Sequence, residues 1–128
     1  MYRKILVAYN GTAESRVALE ECLRLSPSAE AEVHLLVVVS PPPYLLVGEF
    51  AAAAVLSVEE GLSAEKEKMQ KELEAGAQRL IEGGLQVTSH LEIGEPVSVI
   101  EEVAHDLQVE LVIVGHSRQK PLALRWWR

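Results

Sequence analysis

Ile5-Leu6-Val7-Ala8-Tyr9-Asn10-Gly11-Thr12 opens the folding region, a short apolar run that breaks into a turn rich in small and polar residues. The run is β-branched and carries no polar alternation, so it reads as a strand covered on both faces. Leu35-Leu36-Val37-Val38-Val39 and Leu111-Val112-Ile113-Val114 repeat the pattern. Leu85, Val87, Leu91 and Ile93 alternate instead with Gln86, Thr88, His90 and Glu92, which predicts an edge strand with one wetter face.

Helical signals fill the intervals. Thr12 is a candidate N-cap with Glu14 in the first turn, Val17, Ala18, Cys22 and Leu25 form one stripe, and Pro27 ends the helix. A second helix is predicted from Ser63 as N-cap through Met69, Leu73, Ala77 and Leu80, closed by Gly83-Gly84. A third begins near Pro96 and turns Val97, Ile100, Val103, Ala104 and Leu107 inward. Strand and helix thus alternate, and right-handed crossovers then give an α/β fold with an open, doubly wound parallel sheet. Between the second strand and the second helix, Ser40 to Tyr44 holds three prolines, and Leu45 to Leu56 is apolar without clear periodicity; it reads as a flap or a short helix. No internal repeat or linker divides the chain, so residues 1–128 are expected to form a single domain.

Composition narrows the function. A net charge of −7 disfavours general nucleic-acid binding, which needs a concentrated positive surface. Basic residues gather only in the tail, where Arg118, Lys120, Arg125 and Arg128 follow Gly115 with no acidic neighbour. Arg125-Trp126-Trp127-Arg128 is a cationic aromatic patch, but four residues do not make a nucleic-acid or membrane partner the expectation. The opening apolar run is too short for a signal or a membrane span, so a cytoplasmic location is expected. One cysteine and four scattered histidines show no metal spacing; Cys22 reads as a core residue, and His34, His90 and His105 as satisfied structural histidines.

In open α/β sheets, ligands bind beyond the carboxyl ends of strands whose connections run in opposite directions. Two loops qualify: Tyr9-Asn10-Gly11-Thr12 after the first strand and Gly115-His116-Ser117-Arg118 after the fourth. There is no P-loop, dinucleotide fingerprint, nucleophile elbow or paired-carboxylate arrangement, so no catalytic residues are assigned and the chain is not expected to be an enzyme.

The opening strand and its turn, Val38 on the second strand, Gly94-Glu95-Pro96 and Glu110-Leu111-Val112-Ile113-Val114-Gly115 together resemble the universal stress protein family. The resemblance implies strand order 3-2-1-4 with the fifth strand missing, and a stress-response regulator that binds ATP or AMP, with Mg²⁺ accompanying ATP. It implies nucleotide contacts at Ala8 and Asn10, at Val38 beside the base, and at Gly115, Ser117 and Arg118 beside the phosphates. Two departures stand out: Asn10 replaces the usual ribose-contacting Asp, and Arg118 replaces a Gly. The alternative function is association with protein partners without nucleotide. The family pattern continues through a Gly-Ser, a helix and a fifth strand beyond Arg128, so a missing fifth strand is expected. The fourth strand would then be an exposed edge that favours a homodimer or larger assembly, with Leu122, Leu124, Trp126 and Trp127 folding over part of it.

Overall fold

The computed structural model describes residues 2–25, 30–40 and 51–115, except the side chains of 51–59. Seven elements alternate: β1 (Lys4–Ala8), α1 (Ala13–Leu25), β2 (Glu32–Val39), α2 (Ala51–Glu82), β3 (Gln86–Ile93), α3 (Pro96–Leu107) and β4 (Leu111–Val114). All four strands are parallel, in the order β3-β2-β1-β4. That is the expected 3-2-1-4 arrangement, with β3 at one edge. The fifth strand and the tail residues Leu122, Leu124, Trp126 and Trp127 concern positions outside the described residues.

The pleat divides the core in two. Ile5, Val7, Tyr9, Val33, Leu35, Val37 and Val39 face α1 and α2, where they meet Ala18, Leu19, Cys22, Met69, Leu73, Ala77 and Leu80. Leu6 and Leu36, flanked by Ala8 and Val38, face α3 and pack on Ile100. Both faces of β1 and β2 are thereby covered, which is why their sequences are continuously apolar. Each fully buried Leu or Ile contributes roughly 1.5–3 kcal/mol relative to exposure. In β3 Val87 and Leu91 join the core while Gln86, Thr88 and Glu92 stay exposed, as the alternation predicts, but Ile93 at the strand's end is 43% exposed.

Two local expectations are corrected. The second helix starts at Ala51, not Ser63, and Ser63 is an exposed residue inside it. Ala51 to Ala54 has the highest helix propensity available and no proline interrupts 51–82, so the helix runs 32 residues through the polar stretch. The Pro-rich stretch at 41–43 and residues 44–50 lie outside the described residues. In α1, Val17 is 68% exposed, and the inward stripe is Ser15, Ala18, Leu19 and Cys22. Ser15 can occupy an inward position because its hydroxyl donates to the Thr12 carbonyl at 3.0 Å. The cap of α3 is Glu95, whose carboxylate accepts from Val97 N and Ser98 N at 3.1 and 2.7 Å. Those bonds hold its pKa below the ordinary carboxylate range.

The remaining ends follow their predicted chemistry. Thr12 caps α1, its hydroxyl accepting from Ser15 N at 3.3 Å. Gly84, at φ +91°, ends α2 with bonds from Gly84 N to Ile81 O and from Leu85 N to Leu80 O. Glu110 fixes the start of β1 against β4, accepting from Arg3 N and Lys4 N at 2.7 and 3.2 Å.

Candidate functional site

From β1 the chain turns into α1 and moves toward β2, whereas α3 returns it across the other face to β4. β1 and β4 are therefore neighbours whose connections diverge, and their carboxyl ends open a cleft. Ala8, Tyr9, Asn10, Ser15, Leu36, Val38, Pro96, Ile100, Val114 and Gly115 line it, around an open-mouthed volume of about 130 Å³. Its floor is apolar, made by residues of the α3 face of the sheet and by Ile100 itself. No Asp, Glu, Lys, Arg, His or Cys side chain is among these lining residues.

The polar rim is a closed local network. Asn10 Oδ1 accepts from Thr12 N at 3.1 Å and Thr12 Oγ1 at 2.6 Å, and Asn10 N donates to Ser15 Oγ at 3.3 Å. This is an Asx turn running into a capped helix, and it fixes the Asn10 side chain at the mouth of the cleft. Gly11 sits at φ +80°, and a Cβ there would lie 2.7 Å from Glu72 Oε2 of α2. Only glycine suits that turn.

The back wall is tighter still. A Cβ on Gly115 would lie 2.5 Å from both the Glu14 carbonyl oxygen and the Ser15 Cα. Backbone meets backbone where β4 ends against the first turn of α1. Gly115 was picked from sequence as the opening of a loop, and its place in the fold gives a separate steric reason for the glycine.

Of the residues selected from sequence, Ala8, Asn10, Val38 and Gly115 come together in this cleft. Ser117 and Arg118 lie outside the described residues. Tyr9 also lines the cleft, as the first residue of the candidate loop, whereas sequence reasoning missed Ser15, Leu36, Pro96, Ile100 and Val114. The signal for Ser15 was a polar residue interrupting an apolar stripe; the others read only as core or cap. Among the described residues no group of three His, Cys, Asp or Glu is placed to hold a metal ion, and no helix is long and apolar enough to cross a membrane.

Solved structures share this architecture. The universal stress protein UspA from Lactobacillus plantarum superposes with a TM-score of 0.77 at 20% identity, covering 95% of this chain and 84% of that one. A universal stress protein family member from Arabidopsis thaliana with AMP bound matches with a TM-score of 0.62 at 16% identity, covering 94% and 81%. A universal stress protein in complex with cAMP matches with a TM-score of 0.63 at 17% identity, covering 98% and 81%. No curated protein sequence matches the chain significantly. At such identities the structures establish the fold alone. The family model described as universal stress protein family, however, aligns with residues 1–125, nearly end to end. With the strand order, the diverging β1 and β4 connections and that match in hand, the chain belongs to the universal stress protein family.

Proposed function

We propose that this protein is a non-catalytic stress-response regulator that binds an adenine nucleotide in the cleft between β1 and β4. The observation that carries the reading is the cleft: an apolar floor beside an uncharged polar rim, at the switch point of a parallel sheet. Ligand pockets usually enclose about 300–1,000 Å³, so the 130 Å³ here suits a base lying inside with ribose and phosphates in the open mouth. The AMP and cAMP complexes of the two structural relatives support the same ligand class.

In this reading Val38 meets the base, Ala8 and Asn10 meet the ribose, and Gly115, Ser117 and Arg118 meet the phosphates. Among the described lining residues no carboxylate, imidazole, amine or thiol is present, and the Ser15 hydroxyl is tied into the Thr12 and Asn10 backbone network rather than to a base, which favours a binding role. Mg²⁺ would arrive on the phosphates of ATP, since no carboxylate is among the described residues that line the cleft. A single domain over 1–128, a cytoplasmic location, a homo-oligomer and a protein partner that reads the loaded state complete the proposal.

The test is to denature freshly purified protein, analyse the released small molecules, and titrate the emptied protein with AMP, ATP and cAMP. Adenine nucleotide in the release, or a Kd in the region of ~1 μM, is expected. Release of none, with no binding heat up to ~1 mM, would overturn the reading and leave protein association as the function. The Asn10→Asp variant sharpens the test. A carboxylate can still accept from Thr12 N and Thr12 Oγ1, so the turn survives, and it accepts from a ribose hydroxyl more strongly than an amide does. Affinity should be unchanged or tighter, measured by the same titration; a large loss would mean that the Asn10 amide donates to the ligand.

A further inference from the structure

His34 of β2 is only 6% exposed, and both of its ring nitrogens are engaged. Nε2 lies 2.9 Å from Glu32 Oε2, and Nδ1 lies 2.9 Å from Nε2 of His90 on β3. An ionised carboxylate only accepts, so His34 Nε2 holds a proton, Nδ1 is bare, and the His90 Nε2–H donates to it. Glu32 is ionised at neutral pH, because that hydrogen bond holds its pKa below the ordinary range. With ring centroids 5.1 Å apart, the two imidazoles meet nearly end to end. That arrangement suits a proton bridge, whereas metal ligands would converge on a third point.

The surroundings are defined on every side. Glu32 lies on the same strand, and Lys4 of β1 acts on Glu32. From β3, Glu92 favours the protonated form of His90. α3 turns Val99, Ile100, Val103 and Ala104 toward this face and leaves Glu101, Glu102, His105 and Asp106 exposed. α2 covers the opposite face of β3, where Val87 and Leu91 join the core. Burial outweighs Glu92, so the pKa of His90 is lowered, and charge on His34 acts in the same direction.

We propose that His34 and His90 form a one-proton latch that fastens the edge strand β3 to β2, and that acid opens it. A first added proton takes the outer nitrogen of His90 and leaves the bridge intact. A second must go to His34 Nδ1, which sets N–H against N–H and ends the bond. When β3 detaches, each histidine takes its own proton near the ordinary value of about 6.5. The closed strand therefore binds fewer protons than the open one below that pH. A histidine whose folded pKa is lowered contributes stability that is complete above about pH 6.5 and lost as the pH falls below it, and a difference of one proton multiplies the opening equilibrium about tenfold per pH unit. Opening bares the backbone edge of β2, so proton concentration would control whether that edge can pair with another strand.

Amide hydrogen exchange tests the latch, with rates corrected for intrinsic exchange and β1 as internal reference. Below about pH 6.5 and down to about pH 5, β3 opening should rise roughly tenfold per unit relative to β1. The His34→Gln variant keeps a carbonyl acceptor for the His90 Nε2–H and removes the ring that must take the opening proton, so it should stay protected at pH 7 and lose the one-proton slope. A pH-independent β3 in the wild type, or a slope that persists unchanged in H34Q, overturns the proposal. Should H34Q fail to fold, ring titrations of the wild type by NMR decide: one proton shared by His34 and His90 over this range supports the latch, and two independent titrations refute it.

Discussion

Gly115→Ala should abolish binding in the cleft and destabilise the fold by about 1–3 kcal/mol, the usual cost of forcing atoms into a packed site. The added methyl would lie 2.5 Å from the backbone of Glu14 and Ser15, so no side-chain rotation relieves it. Either α1 must lift its first turn or β4 must withdraw from β1. Both movements disturb Asn10 and Ser15, whose mutual bond shapes the rim. Urea denaturation and nucleotide titration on the same preparation measure the two effects. Gly61→Ala is the control: that glycine lies in α2 with nothing near its Cβ position, and alanine there should be neutral or stabilise by up to about 1 kcal/mol. Wild-type stability and binding in the Gly115 variant would show that the backbone contact is absent.

Leu35→Ala should cost about 2–5 kcal/mol. Leu35 is fully buried in β2, between Val7 of β1 and Ser89 of β3, and its Cδ2 would lie 3.2 Å from a Cβ on Gly76. α2 approaches the sheet this closely because residue 76 lacks a side chain, so the helix cannot sink further to fill the void. Against a total stability of about 5–15 kcal/mol, a loss of that size lowers the urea midpoint by a large fraction. A change below about 1 kcal/mol would mean that the neighbours collapse into the space.

How much of this was legible in advance depended on how local the cause is. Continuous apolar runs gave β1, β2 and β4, and alternation gave β3 its edge position, because burial on one face or two writes itself into neighbouring residues. Pro96 and the Gly83-Gly84 pair marked helix ends through fixed backbone preferences. The start of α2 was misplaced because Ser63 looks like a cap in isolation, while the helix-forming residues before it decide the outcome. Val17 reads as inward because it is apolar, but the stripe that packs is Ser15, Ala18, Leu19 and Cys22, one position round the helix, and a polar residue at its start hides that rotation. The cleft was half legible. Ala8, Asn10, Val38 and Gly115 follow from strand ends and resemblance, but Leu36 and Ile100 look like any core residue until the sheet order brings them beneath the Asn10 turn. The pairing of His34 with His90 across strands also needs the register, which no single-strand pattern carries.

The pleat of β2 has an evolutionary consequence. Val37 and Val39 are held in the α2-side core, while Val38 between them is half-buried and borders the cleft. A substitution at 38 can change what the cleft accepts while its neighbours continue to hold the sheet. An insertion or deletion within β2 cannot, because one step of register would send the core residues to the cleft and the cleft residue to the core. Divergence in ligand preference should therefore accumulate at position 38 as exchanges of side-chain size, within a strand whose length does not change.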